Sequence, residues 1–301
     1  MYPPILLFVY NRFEHTRRTL DSLQKNPNIS RHDLIVFSDG PKTEADSIKV
    51  NRVRDLVSCI QNFRSLTIHT RDKNYGLSQS IIKGVSGVLD RFDNCIVLED
   101  DLILSPFFLS FITDGLRKYS NHQQVASIHG YVYPTQASLP ENFFMKGADC
   151  WGWGTWKRAW DLFDADGAKL LEQLKKKGLM NEFDFGGKYS FSGMLKKQIE
   201  GKVDSWAIRW HASIFLKNML TLYPGKSLVH NIGNDRSGTN SGQYNIFDVS
   251  LRKSPLPVTD IEVKPSEVGY KAFIEFFTQN KQTLSAKVIN KISSLVNYEE
   301  Q

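Results

Sequence analysis

Residues 95–101 read Cys95-Ile96-Val97-Leu98-Glu99-Asp100-Asp101, a short apolar run that ends in three consecutive carboxylates. The apolar part has the composition of a buried strand, and an acidic cluster at its carboxyl end is costly unless something neutralises it. A hard divalent cation that also bridges phosphate oxygens is a common reason to hold carboxylates in such a place. A solvated acidic loop is the plainer alternative, and the motif alone does not choose between them. Asp204 in Val203-Asp204-Ser205-Trp206 is a further carboxylate, placed to serve as the N-cap of the helix that follows.

The elements that must position these groups alternate clearly in the first half. Short β-rich runs at 5–10, 34–37, 66–69 and 95–98 are separated by segments with helical spacing at 16–23, 48–60 and 77–89. That order predicts an α/β fold with a mainly parallel central sheet and helices on both faces. Every strand ends in polar or turn residues: Asn11-Arg12, then Ser38-Asp39-Gly40-Pro41, then Arg71-Asp72 with Asn74-Tyr75-Gly76, then the acidic triplet. Four such ends on one rim form the usual place for a ligand in an open α/β sheet. Taken singly, Asp39-Gly40-Pro41 and Asn74-Tyr75-Gly76 read as turns rather than ligands, and their shared rim strengthens the functional reading.

The second half predicts a strand at 125–131, a helix over 203–216 and extended chain at 220–224. Trp151, Trp153, Trp156 and Trp160 crowd into ten residues. Trp151 and Trp153 alternate on a strand and could stack on a sugar face, whereas Trp156 and Trp160 read as core.

Composition narrows the function classes. The chain has 301 residues, 41% hydrophobic and 23% charged, with a net charge of +6. That diffuse basic excess suits anionic nucleotides or a lipid surface and does not argue for nucleic acid. Cys59, Cys95 and Cys150 are far apart and form neither a disulfide framework nor a zinc motif, as expected in a reducing compartment. With no leader or membrane-spanning run visible, a cytoplasmic location is expected. No G-x-G-x-x-G follows the first strand, and there is no P-loop, G-x-S-x-G elbow or H-E-x-x-H helix.

Taken in order, several pieces resemble the inverting glycosyltransferases of the GT-A fold, of the N-acetylglucosaminyltransferase I type and its bacterial family-2-like relatives. They are Phe8-Val9-Tyr10-Asn11-Arg12 with Thr19-Leu20, Ser38-Asp39-Gly40-Pro41-Lys42, Arg71, Asn74, Gly76-Leu77, and Val97-Leu98-Glu99-Asp100-Asp101. Trp151-Gly152-Trp153-Gly154-Thr155-Trp156, Asp204-Ser205-Trp206, Asn231-Ile232-Gly233 and Ser237-Gly238-Thr239 follow. The resemblance implies a GT-A domain over residues 1–245, with a nucleotide-sugar half at 1–120 and an acceptor and catalytic half at 121–245. Residues 246–301 form a C-terminal extension.

The resemblance implies Mn2+ or Mg2+ held by Asp101, with Glu99 and Asp100 on ribose, metal waters or backbone. It implies donor contacts from Tyr10, Asn11, Arg12, Arg71 and Asn74, with Asp39 reading a uracil ring. Asp204 is then the base, and Trp151 and Trp153 meet a sugar. His230 is a second metal ligand in some enzymes of this fold and otherwise structural. The implied partners are a UDP-linked sugar donor and a glycan or lipid-linked acceptor, in bacterial surface polysaccharide assembly. A nucleotidyltransferase, or a non-catalytic glycan- or lipid-binding module, are the alternatives. Leu284, Val288, Ile292 and Leu295 recur at helical spacing among lysines, so 283–296 could lie on an anionic membrane or pack on protein.

Overall fold

Every residue of the first strand, β1 (Ile5–Val9), is buried, so its two faces must both be covered. They are: Ile5, Leu7 and Val9 belong to one apolar cluster, with Leu20, Leu23, Val53 and Val57, while Leu6 and Phe8 belong to another, with Ile81 and Val85. Alternation along a strand, combined with helices on each side, gives the layered arrangement of a doubly covered parallel sheet. The computed structural model describes residues 2–235 and 245–281.

The first half follows the predicted order: β1, α1 (Phe13–Leu23), β2 (Asp33–Ser38), α2 (Glu44–Ser58), β3 (Ser65–Thr70), α3 (Gly76–Leu89) and β4 (Asn94–Glu99). These four strands lie parallel in the order β3-β2-β1-β4. Their register aligns the carboxyl ends: Val9 sits opposite Ser38, Ser38 opposite Thr70, and Phe8 opposite Glu99. Residues 10, 39 and 71 therefore emerge side by side, with residue 100 one step behind residue 10.

The second half contributes β5 (Leu102–Leu104), α4 (Phe108–Lys118), β6 (Val125–His129), β7 (Asn142–Lys146) and β8 (Trp153–Trp156). The helices α5 (Lys157–Trp160), α6 (Gly167–Lys176), α7 (Met180–Phe183), α8 (Phe191–Ile199) and α9 (Trp206–Leu216) follow, then β9 (Leu220–Pro224) and β10 (Val229–Asn231). Four of these strands extend the sheet to eight, in the order β3-β2-β1-β4-β8-β6-β9-β7, with β8 antiparallel to both β4 and β6. β10 instead pairs antiparallel with β5, which directly follows the acidic triplet.

The chain past 245 does not stand apart as an extension. Val249, Leu256, Val258, Ile261 and Val263 pack on the main core, Phe144 bridges to Pro265, and α10 (Glu267–Gln279) sends Phe273, Phe276 and Phe277 against Phe143 and Tyr223. The amphipathic stretch at 283–296 and Ser237-Gly238-Thr239 lie outside the described residues. Among the described residues no helix is long and apolar enough to cross a membrane.

Candidate functional site

The acidic triplet is held from three directions. From below, the buried Thr19 hydroxyl of α1 donates to the Asp100 carbonyl at 2.9 Å and accepts from the Leu102 N–H at 3.1 Å, while Ser22 accepts from the Leu104 N–H. From the β1 end, Arg12 pairs with Asp100 and, at 2.8 Å, with Asp101, and the Tyr10 N–H donates to Asp100 at 3.4 Å. From the second half, the Ile232 N–H donates to the Asp101 carbonyl at 2.8 Å, and Asn231 accepts from the Gly233 N–H. A β-carbon at Gly233 would collide with an Asp101 carboxylate oxygen, so only glycine lets the chain pass this close.

Charge at this corner is strongly coupled. Burial, and then Asp101 and Asp100, push the Glu99 carboxyl up to about 8 against the opposing pull of Arg12. Burial also raises Asp100, with Arg12 working the other way. Burial disfavours the Arg12 charge, but the two aspartates outweigh it and the guanidinium pKa is raised. One cation thus faces three carboxylates.

Asp101 Oδ2 is the Arg12 partner, whereas Asp101 Oδ1 is buried with no hydrogen-bond partner among the described residues. A lone buried carboxylate oxygen beside unneutralised acids fits a hard cation such as Mg2+ or Mn2+. No group of three His, Cys, Asp or Glu side chains converges on one point among the described residues.

The other predicted residues fall into separate places. Asp39, at the end of β2, is buried and turned onto the start of α3. Its oxygens accept from the Tyr75 N–H at 2.9 and 3.1 Å, the Gly76 N–H at 2.9 Å and the Gly40 N–H at 3.0 Å. Those bonds use its acceptor capacity to satisfy otherwise orphaned helix N–H groups, so the turn reading describes it better than base recognition. Arg71 bonds Ser80, lies 3.7 Å from Asp39 and stacks over the Tyr75 ring. Asn74 donates to the Gly40 carbonyl and accepts from the Gly76 N–H.

Tyr10 and Asn11 both donate to Asp46, in the first turn of α2, and the Lys42 N–H donates to the Tyr10 hydroxyl. Sequence reasoning did not single out Asp46, which looks like an ordinary acid in a first helical turn. Here it ties the β1 end to the loop after β2.

Asp204 is 64% exposed, and its Oδ1 lies 3.5 Å from Arg209. The cap of α9 is Ser205, whose hydroxyl accepts from the Ile208 N–H at 3.3 Å, so Asp204 is free of the capping role. Its other oxygen lies beside the α3 N-terminus, since a β-carbon on Gly76 would stand 4.0 Å from it. Arg209 is itself buried, bonded to Ser78 and to the Ser205 and Ala165 carbonyls.

Two expectations are corrected. Trp153 has no exposed surface; it stacks on Trp206 at 5.4 Å and packs with Trp160 and Trp210, because β8 is an interior strand. It is a core residue, whereas Trp151 is half-buried. His230 accepts from the Val249 N–H at 3.3 Å and faces Asp248 at 3.9 Å. It anchors the segment after 245, and Asn231 to Gly233, rather than His230, close over Asp101.

No family model matches the chain, and no curated protein matches it in sequence. Parts of its backbone are similar to solved structures. A mannosyltransferase, PcManGT, from Pyrobaculum calidifontis in complex with GDP-Man and Mn2+ is 12% identical over 44% of this chain and 35% of that one, at a TM-score of 0.32. TarS of S. aureus is 14% identical over 49% and 25%, at 0.31. A Bacillus anthracis protein assigned as a glucose-1-phosphate thymidylyltransferase, in complex with a sucrose, is 13% identical over 54% and 75%, at 0.32. The chain thus spans 35% of the length of the first and 25% of the second. At these scores none of the three bears on what the chain does.

Proposed function

We propose that this chain is a glycosyltransferase that moves a hexosyl or N-acetylhexosaminyl group from a UDP-linked donor to a hydroxyl of a glycan or lipid-linked glycan, with inversion and with divalent-metal dependence. The observation that supports this reading most is the acidic corner at the end of β4. It pairs an Asp101 oxygen that is buried and unpartnered among the described residues with an over-acidic surrounding and a glycine that lets the chain close over Asp101. Asp101 would hold the cation, whose chemistry when bound is to neutralise charge on the leaving diphosphate.

The chain's own groups have distinct tasks in this reading. Arg12 orients Asp100 and Asp101 and balances their charge. Asp204, exposed and not engaged as a cap, accepts the proton of the attacking acceptor hydroxyl, and Arg209 at 3.5 Å steadies its carboxylate. Half-buried Trp151 offers an apolar face. A nucleotidyltransferase needs a phosphate-binding loop after β1, whereas here Tyr10, Asn11 and Arg12 are tied to Asp46, Asp100 and Asp101. A role in surface polysaccharide assembly, and attachment to an anionic leaflet through 283–296, belong to the same reading.

The test is nucleoside-diphosphate release from a panel of UDP-sugars, with Mn2+ and with pooled glycan or lipid-linked acceptors. Acceptor-stimulated release that chelator abolishes and Asp204→Asn suppresses supports the reading. Release of pyrophosphate from a nucleoside triphosphate and a sugar phosphate, with none from UDP-sugars, overturns it in favour of nucleotidyl transfer.

A further inference from the structure

The loop between β7 and β8 carries another carboxylate, Asp149, to the neighbourhood of the acidic triplet. β8 runs antiparallel to β4 with Trp153 opposite Val97, and His129, the last residue of β6, lies opposite the same Trp153, so the ends of β4 and β6 share one rim. Cys150 lies between Asp149 and Trp151. Burial raises its thiol pKa, and the charges of Asp149, Glu99 and Asp101 all raise it further. Asp149, 3.8 Å from His129, is thereby carried on the rim that bears the triplet.

Asp149 is built into its place. Its Oδ1 accepts from the Cys150 N–H at 2.8 Å, and its Oδ2 accepts from the Tyr133 hydroxyl at 3.4 Å and lies 3.8 Å from His129 Nε2. The carboxylate is still 23% exposed. Behind it, His129 has no exposed surface, and neither ring nitrogen has a hydrogen-bond partner among the described residues. Burial pushes the imidazole down to about 4, so it is neutral, with one nitrogen donating and one accepting. Edge contacts with Tyr131 and Tyr223 fix the ring. A polar His–Asp pair inside an aromatic wall is costly unless it serves a polar ligand.

We propose that Asp149 recognises hydroxyl groups of the transferred sugar, with Tyr133, whose hydroxyl donates to its carboxylate, as a positioning residue. This rests on the nucleotide-sugar reading above. A sugar bonded directly to a diphosphate at Asp101 lies within one ring of the triplet, and a fixed carboxylate accepts from neighbouring sugar hydroxyls by charge-assisted bonds. Such a site rejects analogues that lack the matching hydroxyl, because its buried polar groups are then left unpaired.

The experiment compares calorimetric affinities of UDP and GDP with those of UDP-glucose, UDP-galactose, UDP-N-acetylglucosamine and GDP-mannose, all with Mn2+. Asp149→Asn is expected to weaken the best-bound nucleotide-sugar by roughly 10- to 100-fold and to leave its free nucleotide unchanged. Tyr133→Phe, which keeps the ring, should show the same split at roughly 2- to 10-fold. A purely structural role would lower the melting temperature without separating the two affinities, and that result overturns the assignment. So does an equal loss for nucleotide and nucleotide-sugar, or no loss at all. If the wild-type protein binds neither nucleotides nor nucleotide-sugars, the nucleotide-sugar reading fails and this assignment with it. Should Asp149→Asn not fold, wild-type binding of UDP-glucose and its 2-, 3-, 4- and 6-deoxy analogues decides. One analogue falling to the affinity of UDP supports the proposal, and four that bind like the parent refute it.

Discussion

Replacing Thr19 by valine removes one hydroxyl from beneath the acidic triplet at nearly constant volume. That hydroxyl is wholly buried, donates to the Asp100 carbonyl at 2.9 Å and accepts from the Leu102 N–H at 3.1 Å. Valine leaves both backbone groups without this partner. An orphaned buried group costs about 1–3 kcal/mol, so the pair predicts a loss of about 2–6 kcal/mol. For a chain of this size that corresponds to a melting temperature lower by roughly 3–10 °C. Thr19→Ser keeps the hydroxyl and should recover most of it, losing only about 1 kcal/mol for the missing methyl. Calorimetric or denaturant unfolding of the three proteins without metal measures this directly. Because the bridge fixes the peptide on either side of Asp101, Thr19→Val should also weaken Mn2+-dependent donor binding. Valine within about 0.5 kcal/mol of wild type, or serine as damaging as valine, would refute the reasoning.

Asp204→Asn should cut transfer by roughly two to four orders of magnitude with donor affinity unchanged, and Ser205→Ala, which removes the actual cap of α9, should cost about 1 kcal/mol of stability with little effect on donor affinity. Asp39→Ala should lower the melting temperature, by about 0.5–2 kcal/mol of stability, because the α3 N-terminus loses its acceptor; a loss of nucleotide affinity with no loss of stability would restore base recognition to Asp39. Glu99 gives a pH signature: its folded pKa, about 8, lies above the usual 4.5, so the native state holds a proton that the unfolded chain has released, and its contribution is present below 4.5 and lost as pH rises towards 8. Glu99→Gln should therefore gain stability relative to metal-free wild type across that window, read as a difference between unfolding curves. The comparison with the variant matters because buried His129, pushed down to about 4, acts in the opposite sense and loses stability as pH falls below 6.5.

The strands and helices of the first half were legible because each β run is short, apolar and bounded by turn residues, and each helix repeats its apolar positions. The observed spans differ from the expected ones by a few residues at the ends. The corner of charged groups was legible in part. Glu99, Asp100 and Asp101 are contiguous in sequence, so their clustering could be read directly. Its supports could not, since Thr19 is 81 residues from its Asp100 partner and Gly233 approaches through β10. Asp39 was ambiguous for a physical reason: the same acceptor that could bind a base also suits helix N–H groups, and only the fold shows which are near. Trp153 was misread because alternation says that two rings share a face without saying that the face is interior. His129 and Asp149 carry no motif at all, since they meet only through the pairing of β8, β6, β9 and β7.

The central claim is that Asp101 and a divalent cation together hold a nucleotide-sugar at the end of β4. Titration calorimetry of UDP-sugars into wild-type protein and Asp101→Asn, each with Mn2+ and with chelator, tests it most directly. Asparagine preserves the shape that Gly233 accommodates, so a change in binding reports on charge and ligation. The account predicts Mn2+-dependent binding in wild type that chelator abolishes and Asp101→Asn loses. Equal binding by both proteins, or binding indifferent to chelator, would contradict it.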